Sequence, residues 1–110
     1  MIVVRIAMNV FPEKQMEVMQ TLLSMIGPTG KETGCLSHAV FCDIEDKNSF
    51  SLLQEWETRE DLDHHIRSHR FGVFLGTKTL LCAPPKIQIH TVSLSEKIEA
   101  TLPLQSSQPW

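Results

Sequence analysis

His65 follows Asp61 by four residues in the segment TREDLDHHI. In a helix that spacing puts both side chains on one face. A carboxylate beside an imidazole can fix its tautomer, and an imidazole titrates near neutrality, so the pair could take a proton from an acidic phenol. The plain alternative is a histidine packed on a sheet and bonded to a backbone carbonyl. His38 is the second candidate, set among apolar neighbours in CLSHAVFCD. Strand alternation groups it with Leu36, Val40 and Cys42. If that face meets helices, His38 lines a cavity as an acid–base or orienting group; if it meets another subunit, the residue is structural. Trp56, Phe71 and Phe74 could wall an aromatic ligand or simply fill the core. Asn9 is polar within an apolar strand, and could hold a substrate oxygen or satisfy a strand end.

Other chemistries find less support. His65 and His69 have the spacing of helical metal ligands, but no Glu lies between them in the zinc-protease order and no third ligand is evident. No metal site is expected. There is no Gly-rich phosphate loop and no G-x-S-x-G elbow, so nucleotide cofactors and serine-hydrolase chemistry lack a motif. Cys35, Cys42 and Cys82 are odd in number and widely spaced, which suggests reduced, partly buried thiols. The formal net charge is -3 and Lys/Arg do not cluster, so no nucleic-acid partner is expected. No apolar run approaches the roughly 20 residues of a membrane span, and no signal-peptide pattern opens the chain. A cytoplasmic location is the default expectation.

The elements that must position these groups follow from periodicity. In residues 2–10, Ile2, Val4, Ile6, Met8 and Val10 alternate as in a strand. Pro12 opens a helix, with Glu13 in its first turn and an expected apolar stripe of Met16, Met19, Leu22, Leu23 and Ile26. Gly27-Pro28 is expected to stop it. Residues 35–43 and 49–57 read as strands joined by the turn IEDKN. Thr58 can cap the next helix. A further helical stretch is expected from about Phe71, ended by Pro84-Pro85, and residues 86–94 read as the last strand. The 110 residues suit one domain. Its bounds are placed at 1–95, with a tail over 96–110 that is loosely ordered or reaches a partner subunit. The order β-α-β-β-α-β is ferredoxin-like α+β, an antiparallel sheet with helices on one face. Two such sheets packed face to face would cover the open side.

Three features together carry a resemblance to a known family. They are Gly34-Cys35-Leu36-Ser37 entering the second strand, Glu55-Trp56 ending the third, and Arg59 through His65 followed by Ser68 and Phe71. Over about residues 1–93 the chain resembles the antibiotic-biosynthesis monooxygenases. The resemblance implies a homodimeric α+β barrel. In some members it implies oxidation of quinols or anthrones by dioxygen without metal or flavin. On that basis no cofactor is expected, and the expected partners are a small aromatic substrate, dioxygen and a second copy of the chain. The position of His38 often holds tyrosine in relatives, and this chain has no tyrosine, so a phenol-based mechanism is excluded there. Haem-degrading relatives use an asparagine, a tryptophan and a histidine at positions that align with Ile6, His65 and Leu75; none matches.

The expected mechanism makes His65, assisted by Asp61, the base. His38 is a second acid–base or orienting group, and Trp56, Phe71 and Phe74 are the wall. The rival readings are a small-molecule binding module without turnover and an isomerase of a small carbonyl compound. Oxygen consumption separates them.

Overall fold

The computed structural model describes residues 1–100. Four strands form one antiparallel sheet: β1 (Ile2–Asn9), β2 (Cys35–Cys42), β3 (Ser49–Trp56) and β4 (Lys86–Thr91), in the spatial order β2-β3-β1-β4. The helices are α1 (Gln15–Gly30), α2 (Arg59–Ile66) and α3 (His69–Leu75). The chain therefore has the α+β, ferredoxin-like arrangement, with its second helix split into α2 and α3.

The alternation of β1 decides which face is buried. Ile2, Val4, Ile6, Met8 and Val10 all point under the helices and are at most 6% exposed, whereas Arg5, Ala7 and Asn9 are exposed on the other side. β3 obeys the same rule, burying Phe50, Leu52, Gln54 and Trp56. Its register with β2 sets His38 opposite Gln54 and Val40 opposite Leu52, so His38 faces the helices. Leu36 does not share that face. A bulge between Cys35 and Ser37 interrupts the alternation, and Leu36 is exposed.

Helix α1 departs from expectation twice. It does not stop at Gly27-Pro28 but continues through Pro28 to Gly30. Proline removes one helical hydrogen bond, and here that loss falls in the final turn, which closes through Lys31 and Glu32 amides donating to the Pro28 and Thr29 carbonyls. The buried stripe is Val18, Leu22, Met25 and Thr29, while Met16 and Leu23 are exposed. The two candidate stripes share Leu22 and differ by roughly one residue's rotation, about 100°. Thr29, in the added turn, is fully buried and lies on this second stripe.

Local capping fixes the helices after β3. The Thr58 hydroxyl accepts the Asp61 amide at 3.1 Å, and the Ser68 hydroxyl accepts the Phe71 amide at 3.2 Å. Gly34 has φ +81°, a conformation that favours glycine, and a side chain there would run into the Asp61 carboxylate. Among the described residues, no helix is long and apolar enough to cross a membrane. On edge strand β4, Ile87 and Ile89 lie opposite Ile6 and Val4 yet remain exposed, because the helical layer stops short of that edge. Residues 101–110 of the expected tail lie outside the described residues.

Candidate active site

Two polar side chains lie on the inner face of the sheet near the helices α2 and α3: His38 on β2 and Gln54 on β3. Trp56 closes the end of β3, fully buried, and His65 of α2 lies on it with ring centroids 4.8 Å apart. Phe71 of α3 meets the imidazole edge-on at 5.4 Å, and Phe74 lies 5.6 Å beyond Phe71. Four rings from three elements thus form one stack. Phe71, 8% exposed, is its least buried member.

His65 is 1% exposed, so the partner of its ring nitrogen matters. That partner is Glu32: His65 Nδ1 lies 2.7 Å from Glu32 Oε2. A carboxylate accepts, so Nδ1 carries a proton, and a ring with no second proton presents its lone pair at Nε2. Arg70 of α3 reaches the same Glu32 oxygen at 3.1 Å. Glu32 and Arg70 border a surface hollow of about 460 Å³ with Gly27, Pro28 and Lys31, which gives the carboxylate side of the pair access to water.

Asp61 does not serve His65, and that expectation is corrected. Its carboxylate accepts the Thr58 hydroxyl at 2.8 Å and rests against Gly34. The spacing of four is satisfied along α2, but the cap draws Asp61 toward the helix N-terminus. Glu32 takes the role because α1 runs past Pro28 and delivers the following residues beside α2.

His38 is held from the neighbouring strand. Gln54 Nε2 lies 3.1 Å from His38 Nδ1, and the Trp56 indole N–H donates to Gln54 Oε1 at 3.1 Å. His38 Nε2 is buried without a hydrogen-bond partner among the described residues. Burial, reinforced by nearby His65, pushes the His38 pKa below the ordinary imidazole value, with Glu32 opposing the shift.

The remaining candidates lie elsewhere. Asn9 is exposed on the open face of the sheet, opposite Ser49, and does not join the cluster. His64 and His69 are exposed while His65 is buried, and among the described residues no three His, Cys, Asp or Glu side chains gather as metal ligands. Cys42 and Cys82 are exposed rather than partly buried; only Cys35 fits that expectation, and burial pushes its thiol pKa up. Sequence reasoning missed Glu32 and Gln54. A signal existed for Gln54, a polar residue at an inward position between Leu52 and Trp56; none existed for Glu32, which sits in a loop without periodicity.

A family model described as antibiotic biosynthesis monooxygenase matches residues 1–76. The chain belongs to that family. The matched segment holds every group of the ring stack and both polar pairs. An uncharacterised Synechocystis protein, sll1783, is 30% identical over 98 residues, spanning 88% of this chain and 67% of that protein. YcnE of Bacillus subtilis, whose name carries a provisional monooxygenase assignment, is 28% identical over 97 residues, 87% of this chain and 100% of that protein. Among solved structures, a conserved Methanosarcina mazei protein superposes with a TM-score of 0.77 at 34% identity, covering 81% of this chain and 89% of that one. A Deinococcus radiodurans structure provisionally assigned to antibiotic biosynthesis monooxygenases reaches a TM-score of 0.83 at 19% identity over 91% of this chain and 100% of that one. That last likeness supports the fold alone.

Proposed function

We propose that the chain is a monooxygenase that oxidises a small, electron-rich aromatic of the quinol or anthrone type with dioxygen and without metal or flavin. The observation that carries the reading is His65, buried within a stack of aromatic rings and 2.7 Å from the Glu32 carboxylate. Family membership and the name given to YcnE support the reaction class.

The chemistry asks little of the protein beyond proton transfer and shelter. His65 Nε2 takes the proton of the acidic substrate, and the Nδ1–H bond to Glu32 steadies the imidazolium that forms. The deprotonated aromatic supplies the electrons that dioxygen accepts. For an anthrone the balance is CH2 + O2 giving C=O and H2O. The imidazolium returns its proton to the reduced oxygen, which leaves as the water of that balance, while Arg70 stays protonated and pairs with Glu32. The substrate replaces aromatic contacts around His65, and Phe71 is the ring best placed to yield. The same reading assigns a second copy of the chain to the open sheet face and the bare Ile87–Ile89 edge; sedimentation equilibrium reads that directly.

The test is oxygen uptake by the purified, metal-stripped protein with a panel of hydroquinones and anthrones, the spontaneous rate subtracted. Uptake in proportion to product, unchanged by chelator, is the expected result. Product without oxygen uptake would identify an isomerase. Binding without product would identify a binding module.

A further inference from the structure

The orientation of Gln54 fixes the proton on His38. An indole N–H can only donate, so the Gln54 atom facing Trp56 Nε1 at 3.1 Å is the amide oxygen. The amide nitrogen therefore faces His38 Nδ1, also at 3.1 Å, and donates to it. A neutral imidazole that accepts at Nδ1 carries its proton on Nε2. That Nε2–H is buried and meets no acceptor among the described residues. Buried donors are rarely left unmet in folded proteins, and where one is, a ligand acceptor is a physical explanation.

We propose that Gln54, itself oriented by Trp56, fixes His38 as an Nε2–H donor that binds the oxygen of an aromatic phenol or ketone. His38 is then the hydrogen-bond anchor of the ligand, Gln54 is a positioning residue, and Trp56 sets the polarity of the chain of bonds. The ligand's class rests on the function proposed above; the placement of the proton does not. The two histidines take opposite parts: His65 offers a lone pair at Nε2, and His38 offers a proton there.

The experiment is nitrogen-resolved NMR of 15N-histidine-labelled protein at pH 8, with 4-nitrophenol as probe. In the free wild type, His38 should be protonated at Nε2 and unprotonated at Nδ1. Adding 4-nitrophenol should shift the His38 Nε2–H resonance, and His38→Leu should weaken its binding about tenfold, the scale of one lost hydrogen bond. In Gln54→Glu the side chain can only accept, so His38 Nδ1 should become protonated. Should that variant not fold, Trp56→Phe removes the N–H that orients the amide, and a mixture of His38 tautomers is expected.

A wild-type His38 protonated at Nδ1 alone would overturn the proposal. So would an Nδ1 that stays unprotonated in folded Gln54→Glu, or 4-nitrophenol that leaves the His38 resonance unmoved. The expected tautomer and probe binding, without oxygen uptake on the panel, would remove the proposed reaction and leave the donor site standing. Oxygen uptake with the opposite tautomer would do the reverse.

Discussion

At His65 the nitrogen Nδ1 faces a carboxylate from the segment after α1; at His38 the same ring atom faces an amide from β3. The two sites lie on the same buried side of the sheet and use the same side chain. They differ in what the neighbour can donate. A carboxylate only accepts, so it pulls the proton to Nδ1; the indole-locked amide only donates, so it leaves Nδ1 bare. Residue type alone does not assign a histidine's role. The second residue, fixed by packing, does.

The comparison breaks most visibly at Glu32. Glu32→Gln keeps the shape but removes the charge that steadies an imidazolium, and turnover should fall about 10²-fold or more, as when other catalytic imidazoles lose an orienting carboxylate. Steady-state oxygen uptake reads this, with circular dichroism to show the fold intact.

Next comes Gly34, which lets Asp61 settle at the cap rather than against His65. Gly34→Ala meets both a φ of +81° and the Asp61 carboxylate, and a stability loss of about 2–3 kcal/mol is expected in urea unfolding.

His38 supplies a pH effect. Its folded pKa lies below the ordinary imidazole value of 6.5, chiefly through burial. As the pH falls below that value, the unfolded chain takes up a proton that the folded chain resists, so this contribution is complete above the unfolded pKa and is lost as pH falls through the folded one. The drop in urea midpoint between pH 7.5 and pH 5 should be smaller in His38→Gln than in the wild type.

The smallest effect belongs to Asp61. Asp61→Asn should leave turnover within about twofold and cost at most about 1 kcal/mol of stability, the scale of a lost charge in a first helical turn. A turnover loss like that of Glu32→Gln would return Asp61 to the mechanism.

Much of the frame was legible in the chain. β1 announces itself through four alternating apolar residues, and Thr58 announces the start of α2, because strand period and capping are local properties. Burial of His38 on the helix side needed the register with β3, and exposure of Leu36 needed the bulge, neither of which the run CLSHAVFC contains. The Asp61–His65 spacing pointed to the right helix face but the wrong acid. Local spacing cannot show that a residue 33 positions earlier arrives at the same ring. That arrival depends on α1 continuing through Pro28, which the usual reading of Gly-Pro argues against.

The central claim is that His65 is the base. The most direct measurement is protein-dependent oxygen uptake with an anthrone in the wild type and in folded His65→Ala. The account predicts a fall of about 10²–10⁴-fold, the usual weight of a general base. Wild-type uptake in the folded variant would contradict it.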